Sequence, residues 1–162
     1  MYLWRYGIRL LNRKENSVIM IEYVHGNIFE SKAKVITNPV NTVGVMGAGL
    51  ALQFKQKYPN MFNMYQVACD NNLLTIGKLM LIKETDHTIL LFPTKKDWRD
   101  PSQLSYIEAG LRKFVSMYEQ KGVTSVAFSK LGCGLGGLKW EVVKPIMEKY
   151  LKPLPIVCYI YV

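Results

Sequence analysis

Two glycine-rich segments, each placed where a strand should give way to a helix, constrain this chain more than any other feature. The first runs Asn41-Thr42-Val43-Gly44-Val45-Met46-Gly47-Ala48-Gly49, and the second Leu131-Gly132-Cys133-Gly134-Leu135-Gly136-Gly137. Glycine admits positive φ and lets a ligand come close to the main chain. A helix that starts behind such a loop offers unpaired N–H groups and a partial positive charge. One loop of this kind is compatible with an ordinary turn. Two of them, at strand–helix ends of one small domain, describe a crevice that grips a pyrophosphate from both sides.

The segments around the loops alternate in type. Strands are expected over 17–24, 34–40, 77–83, 88–92, 123–129 and 155–162, the last apolar at nearly every position and hence buried on both faces. Leu50, Phe54 and Tyr58 recur at helical spacing, and Pro59 should stop that helix. Asn60 then caps a second helix running to about Cys69. Asp100, Pro101 and Gln103 match an N-cap, first helical position and capping box, with Leu104, Ile107, Leu111, Phe114 and Tyr118 as the buried stripe and Gly122 as the stop. A final helix reaches about Leu151, and Pro145 is tolerable there only if the helix begins within a turn before it. This alternation specifies a single α/β domain of three layers, whose ligands bind at the carboxyl ends of the strands. Both glycine loops and the segment Pro93-Thr94-Lys95-Lys96 fall at such ends.

The chain has 162 residues and a formal charge of +9, a balance that suits polyanionic partners or, if merely scattered, solubility. Cys69, Cys133 and Cys158 are odd in number and far apart, which argues against a disulfide framework and for a reducing, cytoplasmic setting. Only His25 and His87 occur and no Cys-x-x-Cys, so no metal site is expected, and His87 reads as structural. No run of about 18 apolar residues suggests a membrane span, and the first residues lack the pattern of a secretory signal.

Neither loop is Gly-x-Gly-x-x-Gly with an acidic residue at ribose distance, and no Gly-Lys-Ser/Thr follows. The polar residues left near the loops are Asn27, Asn38, Asn41, Thr94, Lys95, Lys96 and Ser129. Amides suit sugar hydroxyls and base edges. A lysine among them can be a phosphate clamp, a solvated charge or a nucleophile.

Three stretches in register resemble the macrodomain family: Val24-His25-Gly26-Asn27-Ile28-Phe29, Asn38-Pro39-Val40-Asn41 with the first glycine loop, and Gly132-Cys133-Gly134-Leu135-Gly136-Gly137-Leu138-Lys139-Trp140. The resemblance spans 20–162, leaving 1–19 as an N-terminal extension in which Trp4, Ile8 and Leu11 would form one helical face, or Met20 as an internal start. It implies a three-layer α/β/α fold with a mixed, mostly parallel sheet of about six strands, ADP-ribose as ligand and no cofactor. Within the family the first loop, Phe92-Pro93-Thr94-Lys95-Lys96-Asp97-Trp98-Arg99 and Gly134-Leu135-Gly136-Gly137-Leu138 are most similar to the macrodomain of DarG-type antitoxins. Those remove ADP-ribose from thymidine in single-stranded DNA, and the terminal ADP-ribose protein glycohydrolase is also similar. The antitoxins carry a second domain that neutralises a partner toxin, a DNA ADP-ribosyltransferase. The resemblance here ends with the last strand, leaving a free-standing domain or part of a longer chain.

The resemblance implies roles residue by residue. Asn27 and Ile28 meet adenine, with Asn27 standing where many family members have aspartate. Asn41, Gly44, Val45, Met46, Gly47 and Gly49 hold the distal ribose and a phosphate, together with Thr94. Gly132, Cys133, Gly134, Leu135 and Gly136 cradle the pyrophosphate. Lys95, directly after the threonine, is catalytic, as a nucleophile or as an electrostatic stabiliser. The nucleophile must be neutral, which burial and a close Lys96 charge would favour. The protein glycohydrolase has an aspartate where this chain has Gly136, a departure that disfavours a protein-linked substrate. Lys96, Trp98 and Arg99 would hold single-stranded DNA, although Trp98 equally suits packing. The rival readings are hydrolysis of protein-linked ADP-ribose or O-acetyl-ADP-ribose, and a non-catalytic ADP-ribose reader.

Overall fold

The computed structural model describes residues 20–162, so the expected N-terminal extension lies outside the described residues. Among the described residues, six strands form one sheet: β1 (Ile21–Val24), β2 (Val35–Val40), β3 (Met80–Lys83), β4 (Thr88–Pro93), β5 (Ser125–Ser129) and β6 (Val157–Tyr161). Their order is β1-β6-β5-β2-β4-β3, parallel throughout except for β3 against β4. Among the described residues the α-helices are α1 (Gly49–Lys57), α2 (Pro59–Asp70), α3 (Leu104–Met117) and α4 (Trp140–Leu151). The mixed, mostly parallel sheet expected from the sequence is therefore observed.

Strand alternation divides the core into two halves. Val35, Leu90, Val126 and Phe128 pack with α3 and α4 on one face. Ile36, Ile89, Leu91 and Ala127 pack with Phe54, Met61 and Tyr65 of α1 and α2 on the other. β2 and β4 stay paired over six residues, but β2 and β5 pair only at Val35↔Val126 and Ile36↔Ala127. Beyond that the two strands part toward their carboxyl ends. The chain leaves β2 toward β4 on one side and enters β5 on the other, so the gap is the sheet's topological switch point.

Several local expectations are corrected. Asn60 caps nothing: Pro59 occupies the first helical position of α2, with Tyr58 as the residue before it. The helix α3 starts at Leu104 with Gln103 at its N-cap, not at Asp100. The Ser102 N–H is donated instead to Gly136 O at 3.0 Å, which ties this segment beneath the second glycine loop. Pro145 lies well past the first turn of α4. It and Glu141, whose carbonyl loses its helical donor, are both exposed, so solvent can satisfy that group. In β6 only Cys158 and Ile160 are fully buried, because among the described residues Tyr159 and Tyr161 on the opposite face lie at the margin of the second core half and stay half-buried. His87 is structural as expected, its Nε2 sitting 2.9 Å from Ser31 O.

Gly110 sits in the middle of α3, where alanine would ordinarily be favoured by ~1 kcal/mol. A Cβ at this position would lie 2.2 Å from the Phe92 ring, which is itself fully buried and packed edge-on to Phe128. The rigid ring cannot retreat, so overpacking outweighs propensity. Gly110→Ala is expected to lose about 1–3 kcal/mol in urea unfolding, with an unchanged m-value. A raised midpoint would show that the ring has room to move.

Candidate functional site

Both glycine loops leave the sheet at its switch point, the first from β2 and the second from β5, with the Thr94–Lys96 segment leaving the neighbouring β4. Asn41 organises the first loop. Its side-chain oxygen accepts N–H bonds from Val43 (3.1 Å) and Val45 (3.4 Å), and its amide donates to Val45 O at 2.7 Å. Tyr65 reaches from α2 to donate to Asn41 O and Oδ1 at 2.9 and 2.7 Å. Burial pushes the Tyr65 phenol up, so it stays a donor. Gln66 Nε2 adds a bond to Gly44 O at 3.3 Å. Asn41 is thus committed to its own loop, with one amide hydrogen left for anything else.

The second loop folds on itself through Cys133 N–H to Lys130 O, Gly137 N–H to Gly134 O and Leu138 N–H to Gly132 O. Among the described residues, the N–H groups of Gly134, Leu135 and Gly136 find no acceptor, nor do those of Gly47, Ala48 and Gly49 at the start of α1. Two sets of free main-chain donors therefore flank one gap, the arrangement an anion needs. The loops touch where Leu135 lies against Gly49, whose φ is +57°. Gly136 is fixed by packing: a Cβ there would sit 2.4 Å from both Gly132 O and Ser102 Oγ. No aspartate fits at this position without rebuilding the loop.

Lys95 joins the parts. Its Nζ donates to Leu135 O at 3.0 Å and to Trp98 O at 3.4 Å. Thr94 N–H donates to Val40 O at 2.8 Å, and Thr42 donates both its N–H and its hydroxyl to Lys96 O at 3.1 and 2.8 Å. The segment between the two loops is thereby stitched to each of them. Lys96 turns elsewhere, its Nζ lying 5.7 Å from the Tyr106 ring centre, so the two amines are not held against each other.

The remaining sequence candidates divide. Met46 is buried, its sulfur 3.7 Å from Asn38 Nδ2, so only its backbone can face the gap. Asn38 is itself core, its amide set between the sulfurs of Met46 and Met61. Cys133 is half-buried and its thiol is pushed up by burial. The Ile28 side chain is buried, and Asn27 Oδ1 accepts the Phe29 N–H at 3.0 Å as cap of a short turn at 28–30. Asn27 stands at the end of β1, on the far side of β6 and β5 from the Thr94–Lys96 segment. Trp98 is 55% exposed, with the Arg99 guanidinium 5.3 Å from its ring centre. Asp97 grips that guanidinium through both oxygens at 2.9 Å, and the pairing holds the Asp97 carboxyl at about 2. Arg99 is therefore a poorer free cation than its sequence position suggests. Sequence reasoning missed Tyr65, Thr42 and Ser102, whose roles come from contacts far along the chain.

Residues 37–147 match the model of the Macro domain family, and the chain belongs to that family. The macrodomain of Thermus aquaticus DarG has a TM-score of 0.84 and 38% identity, covering 88% of this chain and 98% of that one. The macrodomain of Mycobacterium tuberculosis DarG also scores 0.84, at 42% identity over 88% of this chain and 97% of that one. The DNA ADP-ribosyl glycohydrolase of Mycobacterium tuberculosis is 42% identical over 140 residues, 84% of this chain and 40% of that protein. A DNA ADP-ribosyl transferase–DNA ADP-ribosyl glycohydrolase fusion protein of Thermosipho africanus is 39% identical over 171 residues, 94% of this chain and 44% of that protein. The chain thus spans about 40% of the length of such curated relatives. Among the described residues, no helix is long and apolar enough to cross a membrane.

Proposed function

We propose that this chain is a hydrolase that releases ADP-ribose from thymidine in single-stranded DNA, acting against a DNA ADP-ribosyltransferase. The observation that carries this reading is the position of Lys95: at the carboxyl end of β4, between two loops whose free N–H groups flank one gap, with its amine 3.0 Å from the tip of the second loop. A domain that only binds ADP-ribose has no need of an amine there. The identity with DNA ADP-ribosyl glycohydrolases over most of this chain supports DNA as the substrate.

The pyrophosphate lies between the donors of Gly47–Gly49 and those of Gly134–Gly136, which neutralise its charge without a metal. Adenine extends toward Asn27 and Ile28, and the distal ribose toward Asn41 and Lys95. Lys95 then has two possible duties at the bond to the base. As a nucleophile, its neutral amine attacks the anomeric carbon. The bond to the base breaks, the base leaves with the electron pair and takes up a proton, and water later hydrolyses the sugar–lysine adduct. As a cation, it offsets the negative charge that develops on the departing base. Gly136 weighs against a protein-linked substrate, since the loop has no room for the aspartate side chain that the protein glycohydrolase carries at this position.

The test is a substrate panel: ADP-ribosylated single-stranded oligonucleotide, glutamate-linked mono-ADP-ribosylated protein and O-acetyl-ADP-ribose, each with the same enzyme. Clearance of the oligonucleotide well ahead of the others is expected. Preferential clearance of the protein or the acetyl ester would replace the DNA reading.

A further inference from the structure

Outside the gap, on the other side of the first loop, lies an open depression of about 380 Å³ walled by Thr42, Val43, Thr75, Ile76, Lys96 and Asp97. That volume is at the small end of ligand sites. None of the roles above uses Thr75 or Ile76, which lie in the connection from α2 to β3. We infer that this depression receives a nucleobase next to the modified thymidine, so that it, rather than the glycine loops, gives the enzyme its preference for a DNA strand over a lone nucleoside. The inference rests on the DNA reading given above.

Four observations support it. The depression adjoins the reacting end of the gap, because Lys96, in its wall, directly follows Lys95. A strand whose modified nucleotide sits at Lys95 must continue past this point. The floor is rigid, since Thr42 donates two hydrogen bonds to Lys96 O. The walls are carbon-rich: Val43 is 47% exposed and Ile76 is half-buried, leaving apolar surface for the face of a base. The acidic residue of the wall, Asp97, is paired through both oxygens with Arg99 at 2.9 Å. Lys96, in the wall, carries its amine 5.7 Å from the Tyr106 ring centre, and a positive charge beside the depression suits the phosphate that joins two nucleotides.

Thr75→Trp fills the depression from a residue outside both loops, and Ile76→Ala removes apolar wall without adding bulk. Each is assayed on an ADP-ribosylated oligonucleotide and on ADP-ribosylated thymidine nucleoside. A lost base contact of ordinary strength corresponds to roughly a tenfold rise in KM for the oligonucleotide. Nucleoside kinetics should not change, which also shows that the variants fold. Equal kinetics of wild type and both variants on the oligonucleotide would overturn the inference, as would a parallel loss on nucleoside by both. If wild type cleared only protein-linked ADP-ribose, the DNA reading would fall first and take the inference with it.

Discussion

Lys95→Ala is expected to retain ADP-ribose affinity while turnover falls by at least about 10²–10³-fold, the loss typical of one well-placed electrostatic group. The contrast follows from the contacts. The bonds that shape the first loop come from Asn41, Tyr65, Gln66 and Thr42, and those that shape the second come from its own main chain and from the Ser102 N–H. Lys95 adds only its two bonds to the carbonyls of Leu135 and Trp98. The cradle for the pyrophosphate therefore survives its removal, and the step at the anomeric carbon does not. Lys95→Arg separates the two chemical roles, because arginine keeps the charge but stays protonated and cannot attack. An arginine variant as impaired as alanine supports the nucleophile. One that keeps most of the activity leaves only electrostatic help. Trapping with a reductant during turnover should, on the covalent route, leave an adduct of ADP-ribose mass on Lys95.

Gly134→Phe is expected to abolish ADP-ribose binding in calorimetry while leaving thermal stability almost unchanged. A Cβ at Gly134 meets nothing within 4 Å, and its φ is not in the left-handed region. The folded chain therefore accepts a side chain there at the cost of an ordinary surface change, within about ±0.5 kcal/mol. The same open space is what the pyrophosphate needs, and a benzyl group would occupy it. Gly136, two residues on, differs because its missing Cβ is required by Gly132 O and Ser102 at 2.4 Å. Substitution there disturbs the loop itself and would not separate binding from folding. Unchanged affinity in Gly134→Phe would move the ligand away from the second loop.

Much of this was legible in the sequence because strands and glycine loops carry local signals. The runs ending at Val40, Phe92 and Ser129 read as strands, and the segments after them read as ligand-facing. What the sequence did not show depends on distant contacts. Asp100 to Gln103 has the pattern of a helix start, yet the Ser102 N–H is taken by Gly136 O, so α3 begins later. Asn41 looked free to meet a ribose, but Tyr65 of α2 and the loop amides engage it. Met46 within the first loop and Asn38 just before it proved to be core, because the loop folds over α2. Arg99 looked like a phosphate contact until its carboxylate partner two residues back was seen. The parting of β2 from β5 is what opens the gap, and it exists only in the sheet.

The central claim is that the amine at Lys95 serves release of ADP-ribose from thymidine in a DNA strand. It is tested most directly by single-turnover mass spectrometry of an ADP-ribosylated single-stranded oligonucleotide with excess protein. Wild type should convert the oligonucleotide to its unmodified mass and liberate free ADP-ribose, while Lys95→Ala binds the same oligonucleotide and leaves it modified. An oligonucleotide that remains modified with wild type, or is cleared equally fast by Lys95→Ala, would contradict the account.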